Sequence, residues 1–326
     1  MNMFKDKKVL VAGGTGLMGI PLVELLVEQG AQVTIASLDH ASRAHPEAEF
    51  IQIDLKTIEN CLSVCDGMDF VFNLLGVKGS PAATAAKPAS FFVPTILMAT
   101  NLMEAARLKE VDGFLSCSSI CVYTPEKVLY EDNVWKGFPS ENDKFAGWAK
   151  RMGELQAEAY KIQYGWDRIA VVRPANTYGP YDNFSGENAM VVPSLIRRAV
   201  DGENPLRIWG DGSAVRDFIH ARDVARGMIL AAEKMIGKPI NLGSGTRITI
   251  KELVGIIVSH LDVKPEVIWD TSKPTGDQCR VMDISRARSI GFEPKISLEQ
   301  GIKEVMNWYK ANKTHVNNRY DVFVSR

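Results

Sequence analysis

Short apolar runs alternate with stretches of helical periodicity through the first half of the chain. Val9-Leu10-Val11-Ala12 is continuously apolar, Gly13-Gly14-Thr15-Gly16-Leu17-Met18-Gly19 follows, and Leu22, Val23, Leu25 and Leu26 then recur at helical spacing. This is the pattern of a buried strand, a tight turn and a helix with one apolar face. Further apolar runs at 32–36, 49–53, 70–74 and 113–117 are separated by helix-like stretches such as 89–108. Alternating strands and helices build a parallel sheet covered on both faces. The expected architecture over residues 1–174 is therefore a doubly wound α/β fold of the Rossmann type.

After residue 174 the order is less regular. Short apolar pieces at 206–209 and 240–242 lie between helical stretches at 190–202, 221–236 and 249–261. A smaller substrate-binding lobe is expected over 175–326, with some of the chain crossing back. The last helical stretch, 297–312, precedes a polar tail expected to be loosely held.

With 326 residues, 46% of them apolar, the chain can bury a sizeable core. Its 38 basic residues balance 39 acidic ones, which gives no electrostatic reason to expect nucleic acid or a membrane surface as partner and leaves a small molecule. The apolar run after the basic N-terminus is too short for a signal peptide or a spanning helix. Five cysteines, Cys61, Cys65, Cys117, Cys121 and Cys279, are an odd number without zinc spacing, so free thiols in the cytoplasm are expected and no metal.

Glycines at 13, 16 and 19, between a first strand and a first helix, let the backbone approach a pyrophosphate seated on the helix N-terminus. The end of the second strand reads the adenosine ribose, where an acid would bond the 2′-hydroxyl and repel a 2′-phosphate. Ser37 stands there instead, and Arg43 lies six residues on, so NADP(H) is favoured over NAD(H). Asp39 remains able to serve a 2′-hydroxyl.

The chain resembles the extended short-chain dehydrogenase/reductases, the nucleotide-sugar epimerases, dehydratases and reductases. The resemblance rests on the glycine turn, Asp54-Leu55, Ser118-Ser119-Ile120-Cys121-Val122-Tyr123, Lys150, Arg173-Pro174-Ala175-Asn176-Thr177-Tyr178-Gly179-Pro180, and Arg216-Asp217-Phe218-Ile219-His220. Within that family the chain is most similar to the GDP-fucose-synthase type, because Tyr178-Gly179-Pro180-Tyr181-Asp182-Asn183-Phe184 runs on to Val191-Val192-Pro193.

The resemblance implies that Gly13, Gly16, Leu17, Met18, Gly19, Asp54, Leu55, Lys150 and Pro174 hold the cofactor. It also implies that Ser119, Asn176, Tyr178, Asn183, Arg216 and Arg280 hold a nucleoside diphosphate-sugar, with the guanidinium groups suited to a diphosphate. Each residue has a bland alternative: Asp54 as a strand-end cap, Ser119 as a turn serine, Arg280 in a salt bridge with Asp277 or Asp283. His220 matches a structural position and is given no chemistry. The resemblance further implies a homodimer formed through helices near 89–108 and 145–164.

One residue departs from the pattern. A tyrosine four residues before Lys150 would share its helix face, and the ammonium would bring the phenol toward neutrality for proton exchange with a sugar hydroxyl or ketone. That position is Ala146.

Ile120 and Cys121 follow the serine where dehydratases of the family carry acids, so a 4,6-dehydratase is not expected. Cys121 matches a cysteine that works with a histidine in double epimerases, but the histidine position is Met190, whose thioether moves no proton. Hydride chemistry at C4 remains, by 4-keto reduction or C4 epimerisation. Three readings of Ala146 stand: an engineered inactive variant, which is favoured; a natural enzyme using Ser119, Cys121 or a water; and a silent binding or regulatory protein.

Overall fold

A computed structural model of the chain describes residues 3–77, 79, 81–273, 275–314 and 320. β1 (Lys8–Ala12) leads through the glycine turn into α1 (Gly19–Glu28), whose Leu22, Val23 and Leu26 are fully buried, each contributing about 2 kcal/mol of transfer free energy. β2 (Gln32–Ser37), β3 (Glu49–Gln52), α2 (Ile58–Cys65), β4 (Phe70–Asn73), α3 (Pro81–Ala86), α4 (Pro88–Leu108), β5 (Gly113–Cys117), α5 (Lys144–Tyr164) and β6 (Ile169–Pro174) continue the alternation. Beyond them come β7 (Asn176–Tyr178), α6 (Val191–Val200), β8 (Leu206–Trp209), β9 (Val215–Arg216), β10 (Phe218–His220), α7 (Ala221–Lys234) and β11 (Ile240–Leu242). The order closes with β12 (Ile248–Thr249), α8 (Ile250–Ser259), β13 (Val267–Asp270), β14 (Cys279–Arg280), α9 (Ser285–Ser289) and α10 (Leu298–Asn312).

Seven parallel strands form the main sheet in the order β11-β6-β5-β4-β1-β2-β3. Alternation along β1 splits the core in two. Val9 and Val11 pack with α1 and α7 on one face, while Leu10 and Ala12 pack with α2 and α4 on the other. α4 is long and apolar enough to cross a membrane, yet it lies against α2 and α5 and buries Leu102 and Met103 completely. The strand order reverses at β1, between β2 and β4, which opens a crevice at the carboxyl ends of the strands where ligands of such sheets bind.

The piece 240–242, read from sequence as part of the smaller lobe, is instead the seventh strand of the main sheet. It pairs with β6 in the register Asn241↔Arg173, and α7 packs on β5 and β6. Ile240-Asn241-Leu242 is too short to carry information about which strand it joins; in the fold the Asn241 side chain donates to the Leu129 and Asp283 main-chain oxygens. The smaller lobe gathers α6, α8 and α10 around a separate core containing Ile196, Leu253 and Ile302. α10 starts one residue later than its periodicity suggests because Ser297 caps it, accepting from Gln300 N while Gln300 reaches back to Ser297 N. Residues 315–319 and 321–326, the rest of the expected loose tail, lie outside the described residues.

Candidate functional site

The glycine turn has the backbone that a pyrophosphate requires. Gly13 sits at φ +84°, which other residues rarely adopt, and a Cβ on Gly19 would fall 2.2 Å from the Gly13 carbonyl oxygen. Beside the turn is a cavity of about 310 Å³ lined by Gly13, Thr15, Gly16, Ser37, Asp39, Asp54 and Leu55, among others. Of the residues expected at the cofactor, Leu17, Met18, Gly19, Arg43, Lys150 and Pro174 are not in its wall. Leu17 turns instead toward Gly179, and Met18 caps α1.

At one end of the cavity three side chains form one cluster. Thr15 Oγ1 donates to Asp39 Oδ2 at 2.7 Å, Ser37 Oγ lies 2.7 Å from Thr15 Oγ1, and the Asp39 main-chain N–H donates to Ser37 Oγ at 3.1 Å. Arg43 lies 3.7 Å from the Asp39 carboxylate and donates to the Thr15 carbonyl at 3.2 Å. Asp39 thus brings a carboxylate to the cavity wall and holds Arg43 beside it. Tyr320 also lines the cavity, its main-chain N–H donating to Asp39 Oδ1 at 2.7 Å. Asp54 lines the cavity and accepts from Lys56 N at 3.1 Å.

The reactive end is built where β5 leaves the sheet. Ser119 caps a single 3-10 turn, Ile120–Val122, and its Oγ accepts from Cys121 N at 3.2 Å. Lys150, on α5, donates to the Cys117 carbonyl at 2.7 Å and the Leu75 carbonyl at 2.8 Å. Its ammonium therefore joins the ends of β4 and β5 above the crevice. Burial draws its pKa below the usual lysine value, against the opposing pull of Cys117, Cys121 and Glu154. Ala146 sits one turn earlier on α5, with no acid of its own. Burial pushes the Cys121 thiol up to about 11, so it is neutral near pH 7.

A buried network lies under this turn. Ser118 Oγ hydrogen-bonds Glu154, four residues after Lys150, and Arg173 grips Glu154 with Nε at 2.9 Å and Nη2 at 2.6 Å. Arg173 Nη1 donates to Tyr123 Oη at 3.0 Å, and Tyr123 Oη donates to Asn241 Oδ1 at 2.5 Å. Motif residues Arg173 and Tyr123 thereby tie β6, β11 and α5 to the Ser118-Ser119 turn.

The expected substrate residues divide. Arg216, on β9, and Arg280, on β14, are neighbours in register, and burial together with the Arg280 charge draws the Arg216 pKa down. Two adjacent half-buried guanidinium groups suit an anion. Without one, Arg280 Nη1 lies 2.5 Å from Asp143 Oδ2 and 3.8 Å separates its Nε from Asp277, so the Asp277 salt bridge weighed against the substrate role is present and a closer one to Asp143 joins it. Asn176 lies nearby, donating to the Asp217 carbonyl at 2.9 Å. Asn183 lies in the wall of the cofactor cavity, its Oδ1 accepting from Ser185.

Tyr178 is elsewhere. Only 1% exposed, it packs edge-on against His220 in the smaller lobe's core, and the phenol reaches no cleft. Thr15, Asp143, Glu154 and Tyr320 were not singled out from the sequence. Thr15 is inside the glycine turn and Glu154 four residues after Lys150, so local spacing could have flagged both; no local signal marks Tyr320.

Comparison with known proteins gives the same picture. The NAD dependent epimerase/dehydratase family matches residues 9–243. The chain belongs to this family. GDP-L-fucose synthase 1 of Arabidopsis thaliana is 32% identical over 320 residues, covering 94% of each chain. An epimerase of Methanothermobacter thermautotrophicus superposes with a TM-score of 0.87 at 26% identity, over 97% of this chain and 95% of the other. The UDP-glucose 4-epimerase of Thermotoga maritima, solved with UDP-glucose, gives 0.82 at 25% identity, over 93% and 99%. The family is one of NAD(P)-dependent proteins, and the glycine turn, the Thr15, Ser37 and Asp39 cluster and the cavity have a shape and chemistry that suit such a dinucleotide.

Proposed function

We propose that this chain binds a nicotinamide dinucleotide and a nucleoside diphosphate-hexose, and moves hydride at C4 of the sugar, slowly because Ala146 lacks the phenol. The carrying observation is Lys150, held by the Cys117 and Leu75 carbonyls at the foot of the turn that Ser119 caps. When bound, the nicotinamide would supply or accept the hydride. Lys150 would orient its ribose, Ser119 would hydrogen-bond the C4 oxygen, and Arg216 would hold the diphosphate. Met190, a thioether at the N-cap of α6, argues against double epimerisation. The relatives named above support a nucleotide-sugar as substrate.

For the cofactor, the Asp39 carboxylate favours the 2′-hydroxyl of NAD(H), in place of the NADP(H) that Ser37 and Arg43 suggested, because Arg43 is paired with Asp39. A homodimer fits α4 and α5, which pack side by side and leave Val93, Leu97, Leu155 and Ile162 between 41% and 79% exposed. The free thiols fit a reducing compartment. A silent binding or regulatory protein is the second reading, and it draws on Ala146.

Titration calorimetry tests the binding half. NAD+ followed by UDP-glucose or GDP-mannose should bind, with nucleotide-sugar affinity falling at least tenfold in Arg216→Ala. Cofactor binding with no affinity for any nucleotide-sugar would contradict the enzyme reading.

A further inference from the structure

Ala146 has a carboxylate for a neighbour. Asp143 is the N-cap residue of α5, three residues and one turn before Ala146. Its position is pinned from the opposite lobe: Arg280 pairs with Asp143 at 2.5 Å, and Ser140 and Asn142 both donate to Asp277 at 2.8 Å. The Asp143 side chain is only 18% exposed.

The same wall holds the sugar-facing turn. The Arg280 guanidinium lies against the Cys121 thiol, two residues after Ser119. Gly147, next to Ala146, is pressed so closely on the Cys121 carbonyl that a Cβ would come within 2.4 Å of it. Asp143, Arg280, Cys121 and Ser119 are therefore consecutive contacts around the position from which the phenol is missing. Of the side chains among them, the thiol is neutral, and the Asp143 carboxylate offers the oxygens that can accept a hydroxyl proton.

We propose that Asp143 takes and returns the C4 hydroxyl proton in this chain, replacing the absent phenol; this rests on the hydride-transfer reading above. In the oxidative direction the C4–H bond breaks toward NAD(P)+ as hydride, the C4–O single bond becomes a carbonyl, and the hydroxyl proton goes to the Asp143 carboxylate. In the reductive direction hydride forms the new C4–H bond while the Asp143 carboxyl returns its proton to the oxygen. Arg280 is a positioning residue that aims the carboxylate.

The test measures single-turnover transfer of deuterium from C4 of UDP-glucose and of GDP-mannose to NAD+ in the parent, Asp143→Asn, Asp143→Glu, Ala146→Tyr and the Asp143→Asn/Ala146→Tyr double variant. Asp143→Asn should lose about 10²-fold while Asp143→Glu recovers part of the rate. In the Ala146→Tyr background the Asp143→Asn loss should shrink at least tenfold, because the phenol then carries the proton. Unchanged NAD+ affinity in Asp143→Asn shows that the fold is intact. Equal losses in both backgrounds mark a merely structural role and overturn the proposal, as does a parent no faster than Asp143→Asn. Transfer by Ala146→Tyr alone refutes Asp143 and leaves the hydride-transfer reading standing; no transfer in any variant refutes both.

Discussion

Arg173 and Glu154 form a two-pronged ion pair, at 2.9 and 2.6 Å, with both side chains almost wholly removed from water. Such a pair is costly to break from one side, because the remaining charge stays buried without compensation. Glu154→Ala should destabilise the fold by about 3–5 kcal/mol and release Ser118, which is read from urea unfolding. A loss below about 1 kcal/mol would mean that water reaches Arg173.

Asp39 should set the choice of cofactor. With the carboxylate in the cavity wall, NAD+ should bind more tightly than NADP+, and Asp39→Asn should raise NADP+ affinity about tenfold by removing charge repulsion while keeping a hydrogen-bonding side chain. Fluorescence titration with NADH and NADPH reads both. Tighter NADPH binding by the parent would show that Arg43 leaves Asp39 for the phosphate.

Stability should fall in mild acid because of His220. Its imidazole is buried, and desolvation outweighs the nearby Asp223 to bring its pKa down to about 4, while its Nδ1 accepts from Arg222 N at the start of α7. The unfolded chain binds that proton more readily between about pH 4 and 6.5, so the His220 contribution is complete above pH 6.5 and is lost as pH falls toward 4. The span is on the order of 3 kcal/mol. His220→Asn, which keeps a cap acceptor without the titration, should flatten the unfolding free energy between pH 5 and 7. An equally steep profile in the variant would assign the pH dependence to other groups.

Much of this was legible in the chain before folding. Glycine spacing, apolar alternation and the four-residue step from Ala146 to Lys150 are local, and the turn, the sheet and the missing phenol follow from them. What escaped depends on contacts between distant segments. Tyr320 reaches Asp39 across 281 residues, and Arg173 reveals its purpose only opposite Glu154. Tyr178 sits in a motif that suggests substrate, yet the packing of α10, whose Gly301 passes directly against its ring, makes it core. The pairing of Asp39 with Arg43 spans four residues, yet both side chains are equally suited to a ligand, and spacing alone does not say that they meet each other.

Restoring the phenol tests the central claim most directly. The Ala146→Tyr variant, loaded with NAD+ and a C4-deuterated nucleotide-hexose, should transfer the label to the nicotinamide faster than the parent chain, by the part of the usual ~10²–10⁴ worth of a positioned acid or base that Asp143 does not already supply. A variant that folds, binds both ligands and transfers label no faster than the parent would contradict a site assembled for hydride chemistry at C4.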